Sequence, residues 1–121
     1  MYKSILFILV LILSTCSASF KRSIYAGRAT WFDTSVGIGA CGQQSSNSEH
    51  IVALNSAQYH SGSHCYSKIK IHNKKTGATI VARILDECPT CDWGDLDLTP
   101  DTFKAIANLD DGIAEIRWYF M

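Results

Sequence analysis

The stretch Ser67–Leu85 leaves this chain few choices. SKIKIH alternates polar and apolar residues, NKKTG breaks the pattern, and ATIVARIL resumes it as an apolar-rich run. Alternation sends every second side chain to one face, as a half-buried strand requires. A break of about five residues is a common hairpin loop, so an antiparallel hairpin is expected here. Most of the remaining signals are also strands. Ala26–Phe32 ends in the strand formers Thr30, Trp31 and Phe32. Ile51–Leu54 is a short apolar run. In Ile113–Phe120, Ala114, Ile116, Trp118 and Phe120 alternate with Glu115, Arg117 and Tyr119.

One helix is well signalled. Thr99 is placed to N-cap it, Pro100 to take its first position and Asp101 to lie near its positive end. Phe103, Ile106 and Ala107 fall on one face, and Asp110-Asp111-Gly112 closes the helix. Ser56–His60 is expected to add one helical turn. Asp33–Ser48 is rich in Gly, Ser and Gln without a period and reads as loop. Within it Cys41 has small neighbours in GACG, which let the backbone fold tightly around a crosslink. Several short strands, no internal repeat and no linker make a single mainly β domain. A small closed barrel is the economical architecture, because closure removes sticky edges.

Composition narrows the function. Lys plus Arg and Asp plus Glu both total 11 in 121 residues, so no basic surplus points to nucleic acid. The hydrophobic content of 47% is raised by the first residues. Met1–Ser19 carries Lys3, an apolar run from Ile5 to Leu13, then small residues. That run is too short to span a bilayer and suits a signal peptide cleaved after Ala18 or Ser19. A lipoprotein anchor at Cys16 is the lesser alternative, since Thr15 fits a lipobox poorly. Residues 20–24 form a short extension, where Lys21-Arg22 is either a second processing site or a pair of exposed charges on a frayed end. A secreted monomer without stable membrane insertion is expected. The mature chain keeps Cys41, Cys65, Cys88 and Cys91, an even count that reads as two disulfides with three possible connectivities. A domain this small buries a modest core, so the links should matter.

Ile84–Asp101 concentrates the chemistry. It holds Asp86, Glu87, Asp92, Asp95, Asp97 and Asp101 beside Cys88 and Cys91. Carboxylates this dense repel one another unless cations, hydrogen bonds or substrate hydroxyls lie between them. Most are expected to form a solvated loop pinned by a disulfide. Cys88-Pro89-Thr90-Cys91 lacks the thioredoxin-type helical setting of a redox motif. Cys41 and Cys65 do not supply the second pair that a zinc site would want. His50, His60, His64 and His72 are scattered and expected to be solvent-exposed. No metal and no cofactor are expected.

GRATWF, GACG, LDECPTC, DLDLTPDTFKAIA and DGIAEIRWYF, in that order, resemble the double-psi β-barrel domain of expansins, the rare lipoprotein A family and barwin-like proteins. The resemblance spans roughly Tyr25–Met121, so residues 25–121 are expected to form that domain. It implies six strands with two crossing psi loops and one or two short helices. In expansins a threonine on the first strand and two aspartates are the wall-active residues, and Thr30, Asp86 and Asp97 match them. Glu87-Cys88 stands where some expansins carry an aromatic residue after the first aspartate. The chain stops at Met121, before the second expansin domain with its flat aromatic cellulose-binding surface. Disulfides Cys41–Cys65 and Cys88–Cys91 are expected, the longer loop contributing about 3 kcal/mol and the shorter much less.

A glycosidase needs an acid and a base across the scissile bond. Asp97, near Asp86 and hydrogen-bonded to Thr30, can serve as the acid. Related inverting endoglucanases carry a base on the first strand, close to Asp33. A slip of one residue turns a side chain to the other face of a strand, so Asp33 reads as a loop aspartate. Trp31, Phe32, Trp93 and Tyr119 are candidate sugar-stacking surfaces, while Trp118 and at least one of Trp31 and Phe32 are expected in the core. The leading expectation is a secreted module that binds or loosens wall polysaccharide of cellulose, chitin or peptidoglycan type without efficient hydrolysis. The alternatives are a protein-binding module such as a protease inhibitor or effector, and a weak inverting hydrolase or lytic transglycosylase.

Overall fold

The hairpin forms as its alternation predicts. In the computed structural model, which describes residues 22–121, strand β3 (Lys68–Asn73) pairs antiparallel with β4 (Thr79–Cys88), Ile69 opposite Ala82 and Ile71 opposite Ile80. The expected signal peptide lies outside the described residues, as do Phe20 and Lys21 of the extension. Asn73 shapes the hairpin turn, its side-chain oxygen accepting hydrogen bonds from the backbone N–H groups of Lys75 and Thr76.

Four more strands close the sheet: β1 (Tyr25–Trp31), β2 (Ile51–Asn55), β5 (Leu96–Leu98) and β6 (Ala114–Phe120). Around the barrel the order is β1-β5-β2-β4-β3-β6, with β6 returning to β1. The β1–β5 and β2–β4 pairs are parallel and the rest antiparallel. Two short helices, α1 (Ser56–Tyr59) and α2 (Pro100–Lys104), complete the mainly β barrel. The interior is filled by Ala29, Val52, Leu54, Ile69, Ile71, Ile84, Leu96, Leu98, Ile116 and Trp118, with Phe103 and Ile106 packed on it from the α2 region. No helix among the described residues is long and apolar enough to cross a membrane.

Both cysteine pairs form as expected, Cys41–Cys65 and Cys88–Cys91. The first fastens the long loop after β1 to the segment before β3.

Four local expectations are corrected. First, β4 runs on to Cys88, past Leu85, because β2 pairs with it as far as Asn55 opposite Cys88. Second, Leu96–Leu98 is a strand rather than part of the acidic loop, since both leucines are fully buried between β1 and β2. Third, α2 is short: Asn73 Nδ2 donates to the Ile106 carbonyl at 2.7 Å, and a separate 3-10 turn forms at Leu109–Asp111. Fourth, Thr99 occupies the N-cap position without capping. Its hydroxyl hydrogen-bonds the Glu49 carbonyl at 2.5 Å and the Thr102 hydroxyl at 2.6 Å.

Candidate functional site

Register brings the singled-out residues into one row. Thr30 of β1 stands opposite Asp97 of β5, Asp97 opposite Ala53 of β2, and Ala53 opposite Asp86 of β4. On β1, β5 and β2 the flanking residues Ala29, Leu96, Leu98, Val52 and Leu54 fill the core, so the row itself faces outward. Asp86 joins through a bulge. Val52 pairs with Ile84 but Ala53 pairs with Asp86, and the extra residue Leu85 shifts the alternation of β4 by one. Without that bulge, Asp86 would share the inward face of Ile84. Ala53, itself buried, stands between the two aspartates in the register.

The two carboxylates are held differently. Thr30 Oγ1 donates to Asp97 Oδ1 at 2.9 Å. Burial pushes the Asp97 carboxyl above the usual range; the Thr30 hydrogen bond opposes this and the charge of Asp86 adds to it. Asp86 Oδ1 accepts from two backbone N–H groups, Ala40 at 2.7 Å and its own neighbour Glu87 at 2.8 Å. Gly39 permits the Ala40 approach, because a Cβ there would lie 2.6 Å from the Leu85 carbonyl oxygen. Asp97 thus holds its proton more tightly than a free aspartate, while Asp86 is fixed in place by two backbone N–H groups.

Each carboxylate opens onto a cleft. Asp86 lines one of about 240 Å³ with Phe32, Asp33, Ile38 and Ile51. Asp97 lines one of about 210 Å³ with Arg28, Thr30, Thr90, Cys91 and Ile113. A larger depression of about 940 Å³, around Asn73–Thr76 and Lys104–Asn108, contains none of the row.

Asp33 shares the Asp86 cleft but is engaged as a loop cap. Its Oδ1 accepts from Ser35 N at 2.9 Å and from Asn47 Nδ2 at 3.1 Å. The Ser35 hydrogen bonds, more than that of Asn47, hold its carboxyl below the usual range. Three other carboxylates of the acidic loop, Asp92, Asp95 and Glu87, have local partners. Arg28 N donates to Asp95 Oδ1 at 2.8 Å, and the Arg28 guanidinium lies 3.8 Å from both Asp92 and Asp95. Ser56 Oγ donates to Glu87 Oε2 at 2.7 Å.

The four aromatic candidates do not gather at the row. Phe32 lines the Asp86 cleft. Trp31 is exposed and turns toward the 3-10 turn at Leu109–Asp111, its Nε1 donating to the Leu109 carbonyl at 3.0 Å. Trp93 packs edge-on to Tyr25, about 16 Å along β1 from Thr30. Tyr119 faces outward on β6, across the barrel from β5 and β2. Trp118 is fully buried, with Nε1 donating to the Gly94 carbonyl. The expectation that Trp31 or Phe32 joins the core is corrected: Trp31, the last residue of β1, is exposed with its indole N–H on the Leu109 carbonyl, and Phe32, just past the strand, is half-buried.

Sequence reasoning missed the parts that hold the row together. Ala53 and the Ala40 N–H carry no compositional signal. The Asn55–Gln58 pair was equally silent: Asn55 Nδ2 donates to Gln58 Oε1 at 2.7 Å and to the Asp95 carbonyl at 3.1 Å, and Gly94 N donates to Gln58 Oε1 at 3.1 Å. These bonds anchor the acidic loop where it crosses β1. There Gly27 of β1 meets Gly94 of the loop so closely that a Cβ on either would collide with the backbone of the other segment.

Relatives share this barrel. The papain inhibitor of Streptomyces mobaraensis is 30% identical over 102 residues, covering 78% of this chain and 70% of that protein. Expansin-like protein 3 of Dictyostelium discoideum is 27% identical over 115 residues, covering 87% of this chain and 34% of that protein. A mutant expansin of Clavibacter michiganensis, solved in complex with cellohexaose, superposes with a TM-score of 0.72 at 26% identity, over 82% of this chain and 50% of the expansin chain. The chain therefore spans half or less of these expansin-type relatives and most of the inhibitor. A family profile described as lytic transglycolase matches residues 24–118. With its closed six-stranded barrel, the chain belongs to this family of double-psi β-barrels.

Proposed function

We propose that this protein is a secreted, monomeric, expansin-like module that binds wall polysaccharide at the Thr30–Asp97–Ala53–Asp86 row without hydrolysing it efficiently. The carrying observation is the Thr30–Asp97 hydrogen bond beside an aspartate fixed by backbone N–H groups. Asp97 and Asp86 hydrogen-bond hydroxyls of the sugar from the clefts that they line. Hydrolysis by inversion also needs a base that activates water from the far side. Asp33 is the nearest candidate by sequence, but its cap to Ser35 and its bond to Asn47 commit the carboxylate to the loop. Phe32 supplies the closest aromatic flank. Trp93 and Tyr119 lie beyond a single sugar ring's reach of the row, and the Trp31 indole is engaged with the Leu109 carbonyl. The Clavibacter expansin bound to cellohexaose supports a β-linked glycan as the ligand class.

A second reading is a protein-binding module directed at a protease. It is favoured by the likeness to the papain inhibitor and by the exposed loop side chains Ile38, Tyr66 and Trp93. Titration against cellulose, chitin and peptidoglycan, and separately against papain, separates the two. Glycan binding that is lost in Asp97→Asn supports the first reading. Papain inhibition that survives Asp97→Asn but is lost on substitution of Trp93 or Ile38 supports the second. Reducing-sugar release abolished by both Asp97→Asn and Asp33→Asn would make the protein an enzyme.

A further inference from the structure

The balanced composition hides a segregated surface. On the outward face of β4-β3-β6 the register places Lys68 beside Arg83, Lys70 between Val81 and Tyr119, and His72 between Thr79 and Arg117. Lys68, Arg83 and Arg117 are exposed, Lys70 and His72 partly so. Arg22 adds a further cation, its guanidinium 4.6 Å from the centre of the Tyr119 ring. Among the described residues, the only acidic side chain pointing outward from these three strands before the Asp86 bulge is Glu115, at the far end opposite Arg28 of β1. Glu49 borders the opposite edge, in a depression shared with Lys68 and Arg83. Neither forms an ion pair with these cations; the described salt bridges are those of Arg28. Lys68 directly opposite Arg83 is a like-charge cross-strand pair, an arrangement that destabilises a sheet unless counter-charge is supplied.

We infer that this face docks an anionic polysaccharide, a hydrated polymer bearing carboxylate groups, while the acidic row on the opposite side grips neutral sugar. The choice of partner follows from what the face lacks. Tyr119 is covered by Arg22 and flanked by His72 at 5.7 Å, so no open ring is offered for base stacking by single-stranded nucleic acid. Among the described residues Val81 and, beside Lys68 at the end of β6, Met121 are the large exposed hydrophobics on the face, too few for membrane insertion or for the apolar centre of a protein interface. A flat row of cations beside the Thr79 hydroxyl and the His72 imidazole instead suits a polymer that stays hydrated and is held by charge and hydrogen bonds. The glycan class rests on the reading of the row given above; the charge of the face does not.

The test is a depletion assay of the intact protein on two insoluble polymers of one backbone, cellulose and cellulose carboxylated at C6, in low and in physiological salt. Wild type should bind the carboxylated polymer at least about tenfold more tightly in low salt, with the advantage shrinking as salt rises. The triple variant Lys68→Gln, Lys70→Gln, Arg117→Gln should lose that advantage and keep its binding to plain cellulose. All three side chains face outward and Lys68→Gln relieves a like-charge pair, so its melting temperature should be no lower than wild type; the single variant Arg117→Glu provides a second reading with minimal change to the fold. Equal binding to both polymers, or a preference that survives the triple variant or high salt, overturns the inference and leaves the row's reading intact. Binding to the carboxylated polymer alone, lost in the triple variant, supports the face and sinks the row as a cellulose grip. Tighter binding to an oligonucleotide or to anionic vesicles than to carboxylated cellulose overturns the choice of polysaccharide.

Discussion

The two sides of this barrel obey one alternation and use it differently. On the β3–β6 side the outward residues are mostly cations, with Tyr119 under Arg22 and Glu115 at the far end. On the β5–β2 side the outward residues are Asp97 and Ala53, and two loops close in around them. The loop after β1 reaches Asp86 through the Ala40 N–H, and the acidic loop is anchored by Asn55, Gln58 and Arg28. Alternation decides which side chains face outward. The loops that cover them decide whether a carboxylate is merely solvated or is held, partly buried, with its proton affinity raised.

The contrast can be broken in stages. Cys41→Ser should have the largest effect on stability, about 3 kcal/mol, because the bridge to Cys65 closes the longer loop. Thermal denaturation would register the loss, and hydrogen exchange should show it concentrated between Asp33 and His50 rather than in the β3–β4 hairpin. Asn55→Ala removes a buried amide and strands its partners, at about 1–3 kcal/mol. Urea unfolding should report that value, and the acidic loop should become protease-sensitive. Cys91→Ser opens a loop spanning only three positions in sequence, so its effect should fall well below that of Cys41→Ser.

Proton linkage gives a smaller and more specific signal. Asp97 has a raised carboxyl, so the folded state holds its proton after the unfolded chain has released it. Its contribution therefore makes stability fall as pH rises from the ordinary value of 3.8 through the raised one. Asp33 has the opposite sign: its contribution is present above the ordinary value and is lost as pH falls through its lowered one. Asp97→Asn should abolish the first slope and Asp33→Asn the second, as read from melting temperature across the acid range. An Asp97→Asn protein whose pH profile overlays wild type would show that burial does not perturb this carboxyl.

How much of this was legible in the sequence follows the same division. The β3–β4 hairpin and β6 were readable because their alternation is local and one face is buried. β5 was not, since three residues are too few to show a period, and Leu96–Leu98 becomes a strand only between β1 and β2, which are remote in sequence. Thr30, Asp86 and Asp97 were named through resemblance to a family. Residue chemistry alone did not join them, because the Leu85 bulge that turns Asp86 outward has no local signature. Thr99 and Pro100 correctly marked the start of α2, yet the Thr99 hydroxyl went to the Glu49 carbonyl because the strand entry at Ile51 lies beside it. The exposed loop position of Trp93 was readable from its polar surroundings. The outward turn of Trp31 was not, since its partner is a carbonyl 78 positions away.

The most direct test of the central claim is the binding of wild type and Asp97→Asn to insoluble cellulose, chitin and peptidoglycan, measured beside their melting temperatures at neutral pH. If the row grips sugar, the variant should lose at least about tenfold in affinity for the glycan that wild type binds, the equivalent of one charge-assisted hydrogen bond. Its melting temperature should be no lower than that of wild type. Unchanged glycan binding together with a lowered melting temperature would contradict the account and make Asp97 a brace for the barrel.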